Sequence, residues 1–271
     1  MIKELSDPRI AVIIHAYHLD VLEELFVYLE NIPYKFDLYL NFAEITEQNT
    51  KHISKIKNNL KKMNPGQKFY FTTSLNRGQD LGGFFASTSI FCETGLSYDY
   101  VCKIHTKSDN SFFIPEFQVS GTEWRQRLLK TLLGSEKRVK EVFDIFKMCP
   151  NVGFISNAKF YGVNDFNDSV NKKNYDFFVE KLGLDNNSCW PNEPKFLAGT
   201  MFWFRGEVWD FLKNKEITIN DFETGIAPDG LRSHAFERVF NAVIKHLGYS
   251  VWMFKEQSDT GYRSIPNIDK R

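Results

Sequence analysis

Over its first 105 residues the chain alternates short apolar strands with amphipathic helices, and this alternation limits its possible folds most. Arg9 to Tyr17, RIAVIIHAY, is a β-branched run of the kind buried on both faces of a parallel sheet. Leu19 to Asn31 follows with Val21, Leu22, Leu25, Phe26 and Leu29 at helical spacing, and Asn31-Ile32-Pro33 ends it. Phe36 to Phe42 reads as a second strand and Thr50 to Met63 as a Lys-rich amphipathic helix. Lys68 to Thr73 is a third strand, Leu81 to Glu93 a helix after a Gly-rich turn, and Tyr98 to His105 a fourth strand. Strand and helix in turn, with short connections, predict an α/β fold on a parallel sheet.

The second half is less regular. Glu123 to Leu133 and Glu136 to Met148 read as helices, and Val152 to Ile155 and Leu197 to Phe204 as strands. Val208 to Lys213 is a short helix, Ser233 to Leu247 a long one, and Tyr249 to Met253 a closing strand. Asp165 to Pro194 is polar and rich in Asn, which predicts a helix-plus-loop insertion. The whole reads as a single mixed α/β domain over 1–271.

Composition narrows the function. A chain of 271 residues can bury a full core. Lys plus Arg and Asp plus Glu are both 34, so a broad electrostatic footprint for nucleic acid is not expected. Aromatic residues are 15%, enough for a core with a surplus suited to ring-shaped ligands such as bases and sugars. Cys92, Cys102, Cys149 and Cys189 form no C-x-x-C pair, and the first three lie in or beside apolar runs, so neither a disulfide framework nor a zinc site is expected. Met1 to Arg9 has no apolar stretch of signal-peptide length, and no apolar run approaches the ~20 residues that span a bilayer. The expected location is the cytoplasm.

Four segments carry candidate chemistry. Asn76-Arg77-Gly78-Gln79-Asp80-Leu81-Gly82-Gly83 lies between a strand and a helix, where glycines and free helix N–H groups can receive a diphosphate and Arg77 can add a bidentate contact. The plainer reading is a turn with Asp80 as a local cap. Lys103-Ile104-His105-Thr106-Lys107-Ser108-Asp109 sits at the carboxyl end of a strand, the usual ligand edge of an open α/β sheet. Alternation puts Lys103, His105 and Lys107 on one side, where three basic groups would offset a leaving phosphate. The plainer reading is a solvated turn.

On the Ser233 to Leu247 helix, Phe236, Val239, Phe240, Val243 and Leu247 form an apolar face, with His234, Glu237 and Asn241 opposite. If that face lines a cleft, Glu237 can take a proton from a hydroxyl, and partial burial would raise its pKa to a useful value. Otherwise it is a solvated face. Asp229 is the rival carboxylate, or a helix-entry residue. Finally, Leu197-Ala198-Gly199-Thr200-Met201-Phe202-Trp203-Phe204-Arg205 can shape a sugar platform or be a core strand, and Trp124 opens a leucine-rich helix where it can pack or touch a ligand.

The segments IAVIIHAYHLDVLEELFVYLENIPYKFDLYL, NRGQDLGGF, YDYVCKIHTK, WRQRLLKTLLGS, LAGTMFWFR and HAFERVFNAVIKHLGYSV, in that order, resemble the rhamnan synthesis protein F family, classed with GT-A-type glycosyltransferases. The resemblance implies a GT-A-like (Rossmann-like) mixed sheet flanked by helices. It implies a nucleotide-binding half, 1–110, and an acceptor and catalytic half, 111–271, with the insertion near 165–194. It implies sugar transfer, often from dTDP-L-rhamnose, to a growing cell-surface polysaccharide. Glu237 stands where inverting members of the fold place a base. Lys103 and His105 would join it in catalysis. His15, Ala16, Tyr17, Asn76, Arg77, Gly78, Asp80 and Lys107 would hold the donor. Gly199, Thr200, Trp124, Asp229 and His234 would meet the acceptor.

Such enzymes commonly carry an Asp-x-Asp metal motif after the fourth strand. Here that place reads Lys103-Ile104-His105-Thr106-Lys107, so no metal cofactor is expected to be required, and Asp109 is the one candidate ligand. The partners implied are a nucleotide-sugar donor and a glycan or lipid-linked glycan acceptor, with polysaccharide-assembly proteins or the inner face of the membrane nearby. The alternative is a nucleotide-sugar or glycan-binding module without turnover.

Overall fold

The computed structural model describes residues 7–63, 66–107, 113–114, 119–162, 168–185, 196–225, 229–256 and 263–265. The first half runs β1 (Ile10–Ala16), α1 (Leu22–Leu29), β2 (Phe36–Ala43), α2 (Glu47–Met63), β3 (Phe69–Ser74), α3 (Gln79–Thr94) and β4 (Tyr100–His105). A small hairpin of β5 (Phe113–Ile114) and β6 (Val119–Ser120) leads to α4 (Gly121–Leu133), α5 (Glu136–Met148), β7 (Val152–Asn157) and α6 (Asp168–Leu182). The chain continues through β8 (Phe202–Arg205), α7 (Gly206–Lys213), α8 (Arg232–His246), β9 (Ser250–Lys255) and β10 (Arg263–Ile265).

One eight-stranded sheet runs in the order β10-β9-β7-β8-β4-β1-β2-β3. It draws strands from both halves of the chain, and β4 joins them by pairing with β1 on one side and β8 on the other. Pairs are parallel except where β8 and β10 run against their neighbours, so the sheet is mixed, with helices on both faces. All of β1 is buried, as its β-branched run predicts for a central strand.

Period two sorts the core. Ile10, Val12, Ile14 and Ala16 face α1, α2, α4 and α5. Ala11, Ile13, Tyr39 and Val101 face α3, α6, α7 and α8. On the second face the aromatic surplus is spent on packing: Phe91 stacks on Trp209 with centroids 3.9 Å apart, and Phe154 meets Phe202 edge-on at 4.3 Å. The rings expected in a cleft are therefore largely core.

Two elements depart from the sequence reading. The strand expected from Leu197 begins only at Phe202, because Gly199 (φ +85°) and Thr200 (φ +44°) take left-handed backbone that no strand accommodates. The 165–194 region is less of an excursion than its composition suggests: in α6, Tyr175, Phe178, Val179 and Leu182 enter the core beside α8. Cys92, Cys102 and Cys149 are free thiols, and Cys189 lies outside the described residues.

Candidate active site

The carboxyl edge of β1, β2 and β4 brings three polar side chains into one row. His15 lies beside Asn41 in register on one side and His105 on the other. All three are buried on the face covered by α3 and α8. His15 donates from Nδ1 to Asn41 Oδ1 at 2.8 Å, and Asn41 donates in turn to Thr72 Oγ1 at 3.0 Å. Burial lowers the His15 pKa against the pull of Asp80, so its ring is neutral. Asn41 was not singled out from sequence, although an Asn inside the apolar run FDLYLNF is a visible signal.

Lys103 is the deepest charge in the site, 1% exposed. Its ammonium meets Asp80 Oδ2 at 2.5 Å and donates to the Thr200 carbonyl at 2.9 Å and to Thr200 Oγ1 at 3.0 Å. Thr200 Oγ1 in turn donates to Asp80. Burial alone would raise the Asp80 pKa; the charge of Lys103, with the hydrogen bonds from Lys103 and Thr200, holds it well below the usual carboxylate range. Asp80 therefore does not cap the helix; its carboxylate is engaged by Lys103 and Thr200.

His105 donates from Nε2 to the Gly199 carbonyl at 2.9 Å. Burial pushes its pKa down to about 3, more than Asp80 pulls it up, so it is neutral at neutral pH. The expected cluster of three cations therefore reduces to one. Lys103 is neutralised by Asp80, His105 carries no charge, and Lys107 remains. Among the described residues Lys107 forms no ion pair. Its ammonium sits 4.1 Å over the Trp124 ring, and burial lowers its pKa while Glu237 and Asp80 oppose that shift.

The segment that presents Lys107 is held from several sides. Arg125, paired with Glu24 at 2.7 Å, donates to the Lys107 carbonyl. Thr106 Oγ1 accepts from the backbone N–H of Tyr17 at 2.9 Å and of His18 at 3.0 Å, which fixes the chain leaving β1. Tyr17 is half-buried there, whereas Ala16 is wholly in the core and offers a donor no side-chain contact.

The glycines of the α3 turn serve packing. Gly78 (φ +65°) lies against Phe222, and a Cβ on Gly83 would fall 1.8 Å from His15 Nδ1. Arg77 turns away from the row. Its guanidinium donates to the Phe222 carbonyl at 2.8 and 2.6 Å and reaches Asn220 O at 3.4 Å, pinning that loop, so the expected bidentate phosphate contact is not formed by this conformer. Asn76 is half-buried beside it.

Glu237 projects from α8, which is buried on most of its circumference, including Ser233 and Arg238. The solvated-face alternative therefore does not hold. Burial first, and the charge of Asp80 second, raise the Glu237 pKa to about 7 against the pull of Arg238, Lys107 and Lys103. Near the start of α8, Asp229 accepts from Asn171 Nδ2 at 2.8 Å and from Gly230 N–H at 2.9 Å, with Arg238 Nη2 at 3.5 Å. His234 Nδ1 accepts the Leu231 N–H at 3.2 Å, so the helix entry is closed by His234. Burial lowers the His234 pKa.

The expected acceptor platform is not a surface. Gly199, Thr200 and Trp124 are all buried, and a Cβ on Gly199 would stand 2.9 Å from the Trp124 ring. Among the described residues no three His, Cys, Asp or Glu side chains converge as metal ligands would, and Asp80 is taken up by Lys103, so these residues do not fit a metal. Asp109 lies outside the described residues. No described helix is long and apolar enough to cross a membrane.

A family model described as "Rhamnan synthesis protein F" matches residues 2–249. Two curated relatives, each called "Uncharacterized protein WxcX" and drawn from two strains of Xanthomonas campestris pv. campestris, are 26% identical over 255 residues. They cover 92% of this chain, which spans 33% of their length. A solved mannosyltransferase from Pyrobaculum calidifontis, in complex with GDP-Man and Mn2+, is 12% identical with a TM-score of 0.41, covering 83% of this chain and 56% of its own. That likeness is too loose to bear on the reaction.

Proposed function

The chain belongs to the rhamnan synthesis protein F family, and from that premise we propose that it is a glycosyltransferase of polysaccharide synthesis with Glu237 as its base. The observation that carries the reading is a partly buried carboxylate on α8, near enough to Lys107 at the carboxyl edge for each charge to act on the other, with its pKa raised to about 7. A base needs a pKa near working pH, and a leaving diphosphate needs a cation.

In the proposed step the Glu237 carboxylate takes the acceptor hydroxyl proton as that oxygen attacks the anomeric carbon. A carbon–oxygen bond forms there, the bond from that carbon to the diphosphate breaks, and its electron pair leaves with the nucleoside diphosphate. Lys107 opposes the charge that develops. Attack from the side opposite the leaving group inverts the anomeric configuration. The donor sugar proposed is L-rhamnose or a related hexose, the acceptor a glycan or lipid-linked glycan, and no metal takes part. His15, Tyr17 and Asn76 are proposed to line the donor site, and Asp229 and His234 the acceptor side.

The test incubates the purified chain with a panel of nucleotide sugars, following released nucleotide and the product anomer by NMR. Turnover that E237Q abolishes, with donor binding kept, supports the reading. Near-normal turnover by E237Q overturns the base. Binding without released nucleotide overturns catalysis and leaves the binding-module reading. Activity lost to EDTA and restored by Mn²⁺ overturns metal independence.

A further inference from the structure

Asp80 does something the transfer step above leaves unassigned. Its carboxylate is half-buried at the first turn of α3, ion-paired with Lys103 on β4 at 2.5 Å and bonded by the Thr200 hydroxyl. Lys103 also grips the Thr200 carbonyl, so both ends of Thr200 are held by the pair. Thr200 is β-branched and left-handed at φ +44°, a conformation that persists only where its surroundings enforce it. Its neighbour Gly199 gives its carbonyl to His105 and lies against Trp124, and Trp124 seats Lys107. A chain of direct contacts therefore runs from Asp80 through Thr200 and Gly199 to Trp124 and Lys107. Helix α3 also packs against α8, the helix of Glu237.

We propose that Asp80 is a positioning residue of the transfer site: paired with Lys103 and bonded to Thr200, it fixes the turn that seats Trp124 and Lys107, and it supplies a fixed negative charge on the Glu237 side of the sheet. The roles of Lys107 and Glu237 rest on the function proposed above; the contacts do not. The charges that face Glu237 are Asp80 from α3, Lys103 from β4, Lys107 just beyond β4 and Arg238 from α8 itself, with His234 one turn earlier kept neutral by burial. Of these, Asp80 alone favours the protonated form of Glu237.

The experiment follows the Glu237 carboxyl by carbon-13 NMR without donor, in the native chain, D80N and D80N/K103M. This readout stands whether or not Glu237 proves to be the base. D80N keeps the shape and removes the charge, so the Glu237 midpoint should fall by about one pH unit. In the double variant, which also loses a charge acting the other way, the midpoint should lie between the two. A folded D80N with an unchanged Glu237 midpoint overturns the proposal, since a merely structural Asp80 would leave it unmoved. If D80N alone does not fold, the double variant decides through calorimetry with UDP, GDP and dTDP. A loosened turn should weaken the tightest of these roughly tenfold or more. Native affinity in a folded double variant overturns the proposal.

Discussion

A carboxylate that burial holds above its ordinary pKa should cost the fold stability, and Glu237 makes that cost measurable. Its ordinary pKa is 4.5 and its folded value about 7, raised chiefly by burial. Below pH 4.5 the carboxyl is protonated in both folded and unfolded chains, and its contribution to stability is fully present. As pH rises towards 7 the unfolded chain releases its proton and the folded chain retains it, so stability is lost, and above 7 the loss is complete. The gap in pKa corresponds to about 3 kcal/mol at 1.36 kcal/mol per unit, an upper bound because Glu237 is only partly buried. E237Q removes the titration. Its Tm should exceed that of the native chain at pH 8, by of order 5–10 °C at most for a domain of this size, and the advantage should vanish by pH 4. Thermal unfolding of both proteins across pH 4 to 8 measures the difference directly. A Tm difference that does not change with pH would refute the raised pKa, and with it the argument that this site trades stability for a base.

Three other perturbations separate structural from chemical roles. R77A should lower stability by about 1–3 kcal/mol through lost bonds to the Phe222 carbonyl while nucleotide affinity changes little, and a large affinity loss at unchanged Tm would restore Arg77 to the donor site. G83A sets a methyl 1.8 Å from His15 Nδ1, so overpacking of about 1–3 kcal/mol should outweigh the helix gain, read as a lower Tm; a rise in Tm would show that His15 moves freely. Proton–nitrogen NMR of His105 should show a neutral ring protonated at Nε2 from pH 5 to 8, and an imidazolium signal in that range would contradict its burial beside Lys103.

Much of the scaffold was legible because it rests on local rules. The β-branched run in RIAVIIHAY and helical spacing in HAFERVFNAVIKHLG located β1 and α8 within a residue or two. The same rules correctly set Lys103 and His105 on one side of β4. They stop at depth and partner. Lys103 finds Asp80 at a separation of 23 residues and Thr200 at 97, and no spacing rule reaches that far. The Gly199–Thr200 turn was hidden for a related reason: AGTMFWF reads as strand by composition, and only the tertiary grip of Lys103 on Thr200 explains a left-handed β-branched residue there.

The electrostatics of the candidate site follow from those distant partners. A basic motif at a strand end suggests an anion site, yet counterions supplied by other elements decide how much charge survives. Here α3 contributes the carboxylate that cancels Lys103, and burial takes the proton from His105. Among the described residues, what is left at this edge is one ammonium, Lys107, and one high-pKa carboxylate, Glu237. That pairing suits a single leaving group and a single proton better than three clustered cations would, because surplus positive charge would drag the Glu237 pKa back down and leave a weak base. Neutralising Lys103 with Asp80 is therefore consistent with the proton transfer proposed for Glu237.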